Sequence, residues 1–275
     1  MAHSFKVWCP AKVNLILDVG PLDSNGYHPL RTLFQAVGLF DELTVVRGEE
    51  DTLRTHGSSL PPENTITRAL RLIREFGDVP PLEIELKKRI PLEAGLGGGS
   101  SDAAGLLRVV NRVAPAPFAR EILHEVACAV GSDVPFFLVG GRALGEGYGE
   151  RLTPLDDEPC VWLVIAKPRE VGTSTPEAYR ALDQIERPYD SDSDLVDWRN
   201  DFELVMPDES KAAMASLRSA GAGRSLLSGS GSAVFGEFTS QCEASQAATT
   251  LALESDLDTW VAPTLSRAES LKIES

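Results

Sequence analysis

Val, Leu, Ile and Phe recur at β-type spacing over residues 5–19 and again over 37–47, so the chain opens with two predicted strands. Between them, Pro21 to Pro29 is rich in turn formers, and its Asn25–Gly26 pair is a strong turn signal. The period then changes over 64–76, where Ile66, Leu70 and Ile73 fall at i, i+4 and i+7, one face of a helix that Pro80 and Pro81 stop. Leu82, Ile84 and Leu86 alternate with Glu83, Glu85 and Lys87, which predicts a half-buried strand. A glycine loop over 91–101 leads into a predicted helix from Asp102 to Val113, with Ser100 or Ser101 as its N-cap. A further helix spans about 118–130 and ends at Gly131. In the second half, Val161 to Ala166 reads as a buried strand, 208–220 as a helix, 233–238 as a strand, 241–254 as a helix and 258–264 as a last strand. Strand-then-helix blocks in both halves, with no internal repeat, predict an α+β protein of two domains, 1–155 and 156–275.

Composition narrows the partners. The chain has 275 residues, with 26 Lys and Arg against 41 Asp and Glu, a formal net charge of −15. That balance argues against a general binder of nucleic acid or anionic membrane, which needs a positive footprint. A small anionic ligand is still compatible, since backbone N–H groups and a few cations can hold one. The stretch 183–209, ten Asp or Glu against Arg187 and Arg199, reads as a solvated helix–loop surface. Cys9, Cys128, Cys160 and Cys242 are scattered, with no C-x-x-C pair, as expected for buried thiols in a reducing cytoplasm. No N-terminal leader pattern and no run near the roughly 18 apolar residues of a membrane span are present.

Candidate chemistry concentrates in five places. Pro91, Leu92, Glu93, Ala94, Gly95, Leu96, Gly97, Gly98, Gly99, Ser100 and Ser101 form a glycine-rich loop directly ahead of a helix. Glycines let the backbone approach a ligand closely, and the helix start offers free N–H groups and a positive dipole end, so a phosphate site is expected here in preference to a flexible linker or a tight strand-to-helix turn. It is not a Walker A loop, because no Lys follows the glycines, and no protein-kinase motif accompanies it. Lys12 and Asn14 are polar residues inside an apolar strand and point to one face, or else mark an edge strand open to water. Asp133, between a helix end and the apolar run Val134 to Val139, is a base or a helix cap. Tyr27 and His28 place an aromatic and an imidazole on a turn. Gly229, Ser230 and Gly231 lie in a second glycine-serine loop able to complete a phosphate or substrate wall.

Taken together, Pro10 to Leu15, Asn25 to His28, Pro91 to Asp102, Gly131 to Pro135 and Ser228 to Gly231 resemble the GHMP kinases, a superfamily of small-molecule kinases, from about residue 8 to 240. Within it they look most like the branch whose acceptor is a cytidine diphosphate-linked methylerythritol. The resemblance implies an N-terminal ribosomal protein S5 domain 2-like domain and a C-terminal ferredoxin-like domain, with the active site in the cleft. It implies ATP as phosphate donor with Mg2+, Asp133 as general base, and Lys12 beside it. By the same resemblance the glycine loop holds the ATP phosphates, Asn64 lies on the nucleotide side, and Asn14 contacts substrate. Tyr27 and His28 would recognise cytosine, with Trp198 as a second aromatic face and Gly229, Ser230 and Gly231 along the substrate diphosphate. Glu93 stands where small residues are common in the family and is expected to point outward. A monomer or homodimer with no nucleic-acid or membrane partner follows. A mevalonate, homoserine or sugar kinase would share the glycine loop without needing Tyr27 and His28, whereas a nucleotide-binding protein that has lost turnover would not be expected to retain both Lys12 and Asp133.

Overall fold

A computed structural model describes residues 4–190 and 192–274. In the first half, β1 (Ser4–Val19), β2 (Leu30–Arg47) and β3 (Thr52–His56) precede α1 (Thr65–Ile73) and β4 (Leu82–Lys87). Three helices follow, α2 (Gly98–Val113), α3 (Arg120–Val130) and α4 (Val134–Val139), then β5 (Arg142–Glu146) and β6 (Arg151–Pro154). The second half runs β7 (Trp162–Pro168), α5 (Thr175–Leu182), β8 (Arg199–Asn200), a 3-10 turn (Asp201–Leu204), α6 (Asp208–Ser219), β9 (Ser225–Leu227), β10 (Val234–Phe238) and α7 (Gln241–Glu254). It closes with β11 (Leu257–Pro263), α8 (Arg267–Ser270) and β12 (Ile273–Glu274). The organisation is α+β, as the block pattern predicts.

Two sheets carry the molecule. The larger has the order β12-β1-β2-β4-β3, with β8 also on β1 and the β5–β6 pair on β2. The smaller is antiparallel throughout, in the order β11-β7-β10-β9. Helices α1 to α4 bury Ile66, Leu70, Leu106, Val110, Val126 and Phe136 with Val7, Leu43 and Leu86 of the larger sheet. Helices α6 and α7 do the same for the smaller one through Met214, Leu217, Ala244 and Leu251. A third cluster joins the two, with Val13, Ile16, Leu33 and Leu96 against Leu163, Ile165 and Phe235. Strand β1 feeds all three.

Several expectations change. The strand expected over 37–47 begins at Leu30, because residues 30–36 pair with β1 and residues 32–35 also pair with β5. The helix expected at Asp102 begins at Gly98, and its N-cap is Gly97 at φ 71°, not Ser100 or Ser101. Both serines lie in its first turn, since packing of the glycines against Ile90 and Thr65 overrides their low helix propensity. The glycine-rich stretch 140–149 contains β5, and α5 had no periodic signal. Of the four thiols, all unbridged, only Cys9 is buried; Cys160 and Cys242 are exposed. No described helix is long and apolar enough to cross a membrane.

Candidate active site

Strand β1 breaks register twice, between Pro10 and Ala11 and between Asn14 and Ile16. Pro10 has no N–H to give the ladder, which suits a bulge. Between the breaks, the Lys12 backbone N–H turns to the glycine loop and donates to Leu96 O at 3.0 Å. The Lys12 side chain is buried, so the edge-strand alternative does not hold. Its Nζ donates to Asn14 Oδ1 at 2.7 Å and lies 3.5 Å from Asp133 Oδ2. Asn14 Nδ2 donates to Thr32 Oγ1 at 2.7 Å, and Thr32 Oγ1 to Ile16 O at 2.8 Å. Asn14, expected to contact substrate, thus holds Lys12 with its carbonyl and Thr32 with its amide.

Asp133 precedes α4, yet its carboxylate caps no N–H of that helix. The side chain is 31% exposed, against 4% for Lys12. A carboxylate beside a buried ammonium, with one face open, is placed to meet an incoming hydroxyl.

The glycine loop forms a cradle of about 230 Å³ lined by residues 91–100 together with Thr65 and Lys88. Two glycines are obligatory here. Gly95 has φ 73° and an added Cβ would meet Ser228 O at 2.0 Å; Gly97 has φ 71° and would meet Phe137 and the Lys12 stem. Glu93, also at positive φ, lies against Gly172 of the second half, within 2.6 Å of where a Cβ there would sit. Ser101 is fully buried and its Oγ has no partner, whereas Ser100 lines the cradle. Asn64, expected at the nucleotide, instead caps α1. Its Oδ1 accepts from the backbone of Ile66 and Thr67, and its Nδ2 donates to Pro61 O. The neighbour Thr65 reaches the loop, donating from Oγ1 to Gly99 O at 2.7 Å.

The second glycine-serine loop closes over the first. Ser228 Oγ donates to Gly95 O at 3.1 Å, and a Cβ at Gly229 would lie 3.1 Å from Lys12 Nζ. Asn200 fixes this loop by donating from Nδ2 to Leu227 O and Gly229 O. Ser230 and Thr175 hydroxyls pair at 3.0 Å.

At the Asn25–Gly26 turn, Asp23 Oδ1 accepts from the backbone of Asn25 and Tyr27, and Gly26 adopts φ 79°. Tyr148 donates its hydroxyl to Asp23 Oδ2 at 2.7 Å, which, with the backbone bonds, holds the Asp23 pKa low. Tyr27 is 62% exposed, its ring 5.2 Å from that of Tyr148. His28 is half-buried; Nδ1 donates to Gly20 O at 2.9 Å, and Nε2 lies 3.6 Å from Asp183 Oδ2. Trp198 is not its aromatic neighbour. The indole packs on Phe235 at 5.6 Å, with the Arg224 guanidinium 4.1 Å from the ring, because the short strand β8 ties the preceding chain to β1. The ring stacked on His28 is Tyr179 of α5, at 4.8 Å and 22°. Burial raises the Tyr179 pKa, and the Asp133 charge adds to it. The isolated place of Tyr179 in the sequence gave no sign of this stacking on His28. The acidic 183–209 stretch is not wholly solvated: Asp201 Oδ2 accepts from Val19 N–H and Glu203 Oε1 from Leu227 N–H.

Beneath the glycine loop lies a buried charge cluster. Lys88 Nζ donates to Asp41 Oδ2 and, at 2.8 Å, to Asp102 Oδ2. Asp41 Oδ1 accepts from the Arg89 and Ile90 N–H groups, so the cluster braces the entry to the loop. Burial, then the Asp41 charge, pushes the Asp102 pKa up to about 8.

Comparison with known proteins follows the same lines. Residues 64–141 match the GHMP kinases N terminal domain, and 194–254 match the GHMP kinases C terminal domain. A 4-diphosphocytidyl-2-C-methyl-D-erythritol kinase of Salinispora tropica is 42% identical over 186 residues, covering 66% of this chain and 59% of the relative. The match thus spans about three-fifths of that relative's length. One of the same name from Geobacter metallireducens is 39% identical over 270 residues, covering 92% of this chain and 96% of the relative. A crystal structure of 4-(cytidine 5'-diphospho)-2C-methyl-D-erythritol kinase superposes with TM-score 0.81 at 35% identity, covering 94% of this chain and 98% of that one.

Proposed function

Because this chain belongs to the 4-diphosphocytidyl-2-C-methyl-D-erythritol kinase family of the GHMP kinases, we propose that it transfers the γ-phosphoryl group of ATP to the 2-hydroxyl of 4-diphosphocytidyl-2-C-methyl-D-erythritol, in the non-mevalonate route to isoprenoid precursors. The observation that carries the reading is the Lys12–Asp133 pair, 3.5 Å apart, with Lys12 against the glycine loop. Asp133 takes the proton of the 2-hydroxyl as its oxygen bonds to the γ-phosphorus. The bond from that phosphorus to the bridging oxygen breaks, and ADP leaves with the electron pair. Lys12, 3.5 Å from Asp133, offsets charge on the transferring group. Such a transition state is loose, so position and charge supply most of the acceleration.

Backbone N–H groups of the glycine loop and the first turn of α2 cradle the ATP phosphates. Among the described residues no group of three or more His, Cys, Asp or Glu is arranged to hold a metal. The Ser100 hydroxyl, which lines the cradle, would be the protein group near Mg2+ bound with ATP. When bound, the ion offsets triphosphate charge. For the acceptor, the exposed Tyr27 ring stacks on cytosine. His28, held by Gly20 at Nδ1 and by the stacked Tyr179 ring, meets the base edge through Nε2, which turns to it from Asp183 Oδ2 3.6 Å away. Gly229, Ser230 and Gly231 line the substrate diphosphate. In this reading the larger sheet with α1 to α4 is the S5 domain 2-like unit and the smaller sheet with its helices is ferredoxin-like. They divide near 155/156, with the site between them. Four unbridged thiols favour the cytoplasm.

ADP release with ATP, magnesium and each of 4-diphosphocytidyl-methylerythritol, mevalonate, homoserine and galactose tests the reading. Turnover is expected with the cytidyl acceptor alone. Asp133→Asn is expected to lose about 100-fold or more in kcat while keeping the fold, since Asp133 caps nothing. Turnover with another acceptor, or full activity of that variant, would sink it.

A further inference from the structure

Farther along α2 from the glycine loop, a second cleft of about 880 Å³ opens between α2, α3, α4 and β6. Its volume suits a small organic molecule. Arg108 of α2 is among the residues that line it. All three guanidinium nitrogens of Arg108 are buried, and none has a hydrogen-bond partner among the described residues. Burial lowers the Arg108 pKa, and the neighbouring Arg112 charge acts in the same direction. A guanidinium nevertheless stays protonated in proteins. The cleft therefore holds a desolvated cation with no counter-charge bonded to it, an arrangement that an incoming anion would relieve.

The carboxylates along the cleft do not fill that role. Glu146 faces Arg31 at 3.3 Å, and Glu150 accepts from the Tyr148 N–H at 2.6 Å. Glu121 and Glu125 of α3 also line the cleft, but neither bonds to Arg108. Arg112, Arg120 and Arg151 add positive charge around it. The apolar part of the lining comes from Leu138 and Val139 of α4, Leu152 of β6, and Leu271 and Ile273.

We propose that this cleft is a second ligand site, which binds a small organic oxyanion with an apolar tail. Arg108 pairs with the oxyanion through its planar fork of donors, and the α4–β6 wall takes the tail. The site is separate from the cradle at residues 91–100 and shares only helix α2 with it.

Titration calorimetry with n-octyl phosphate, octanoate, 1-octanol and inorganic phosphate, run with ADP and magnesium saturating the kinase site, tests the proposal. One equivalent of octyl phosphate or octanoate is expected to bind; which of the two binds more tightly tells phosphate from carboxylate. Octanol and inorganic phosphate are each expected to bind about tenfold more weakly or worse. Arg108→Met is expected to lose that preference for the anion, and to melt higher than the unsubstituted protein when no ligand is present. Leu152→Trp is expected to block binding while leaving kinase turnover unchanged, and decides the question should Arg108→Met fail to fold. Equal binding by both variants and the unsubstituted protein, or no binding of either anion, would overturn the proposal.

Discussion

Asp102 is the first charged side chain after the glycine loop, and it is almost fully buried. Two carboxylates, Asp41 and Asp102, share the single ammonium of Lys88. One proton held between them leaves the cluster neutral, which is why burial and the Asp41 charge raise the Asp102 pKa to about 8. The second oxygen of Asp102 has no partner, a condition a neutral carboxyl tolerates better than a carboxylate. The sign follows. Above about pH 4 the unfolded chain releases a proton that the folded protein keeps, so this group's contribution to stability falls as pH rises toward 8. Asp102→Asn is expected to flatten that decline by on the order of 2 kcal/mol. Urea denaturation at intervals from pH 5 to 8.5 checks it, and parallel curves for the two proteins would refute it. None of this was legible in the sequence. Asp41 and Lys88 are 47 residues apart, and they meet only because β2 and β4 pair in the register Glu42 to Lys87. Lys12 and Asn14 were legible, because the period of a strand puts residues two apart on one face.

Helix α2 shows how an element can be recognised and still be misplaced. The strand–loop–helix order was readable, but the helix starts four residues before Asp102, at Gly98, because glycine propensity is a weak prior against close packing. The short strands β8, β9 and β12, two or three residues each, carry no alternation long enough to read. Nor did α5, whose Tyr179 now stands beside His28 in place of Trp198. Loop geometry makes its own prediction. Gly26 and Gly95 both have positive φ, at 79° and 73°, but an added Cβ at Gly26 meets nothing within 4 Å, while one at Gly95 meets Ser228 O at 2.0 Å. Gly26→Ala is expected to cost only the left-handed backbone term, about 1–2 kcal/mol, and to leave the KM for ATP in place. Gly95→Ala must also push the two glycine loops apart. It is expected to cost more than Gly26→Ala and to raise the KM for ATP. Urea midpoints and ATP titrations of both variants decide the matter; equal effects would mean that the contact between the two loops carries no strain.

At the scale of the whole molecule, the proposed division near 155/156 separates the sheets more cleanly than it separates the core. Strand β1 gives Val7 and Cys9 to the cluster under α2, then Val13 and Ile16 to the central cluster, then Leu17 and Val19 to the cluster under α6 and α7. The second half returns β8 and β12 to the larger sheet on either end of that same strand. The central cluster draws on Leu33, Ile90 and Leu96 from one side and on Leu163, Leu226 and Phe235 from the other. Separating the halves would expose all of these, at roughly 1.5–3 kcal/mol for each large apolar side chain. Since a domain's net stability is only about 5–15 kcal/mol, neither half can lose several such contacts and remain folded. The full chain is therefore expected to unfold in one cooperative transition, with near- and far-ultraviolet circular dichroism falling together. Residues 1–155 and 156–275, expressed apart, are expected to show no cooperative transition until mixed. The polar network follows the same division of labour, since Lys12 and Asp133 come from the first half while Asn200 of the second fixes the loop that closes over Lys12. Two resolved transitions in the full chain, or a stable isolated half, would show instead that the central cluster is an interface between independent domains, and that the two glycine loops meet by docking.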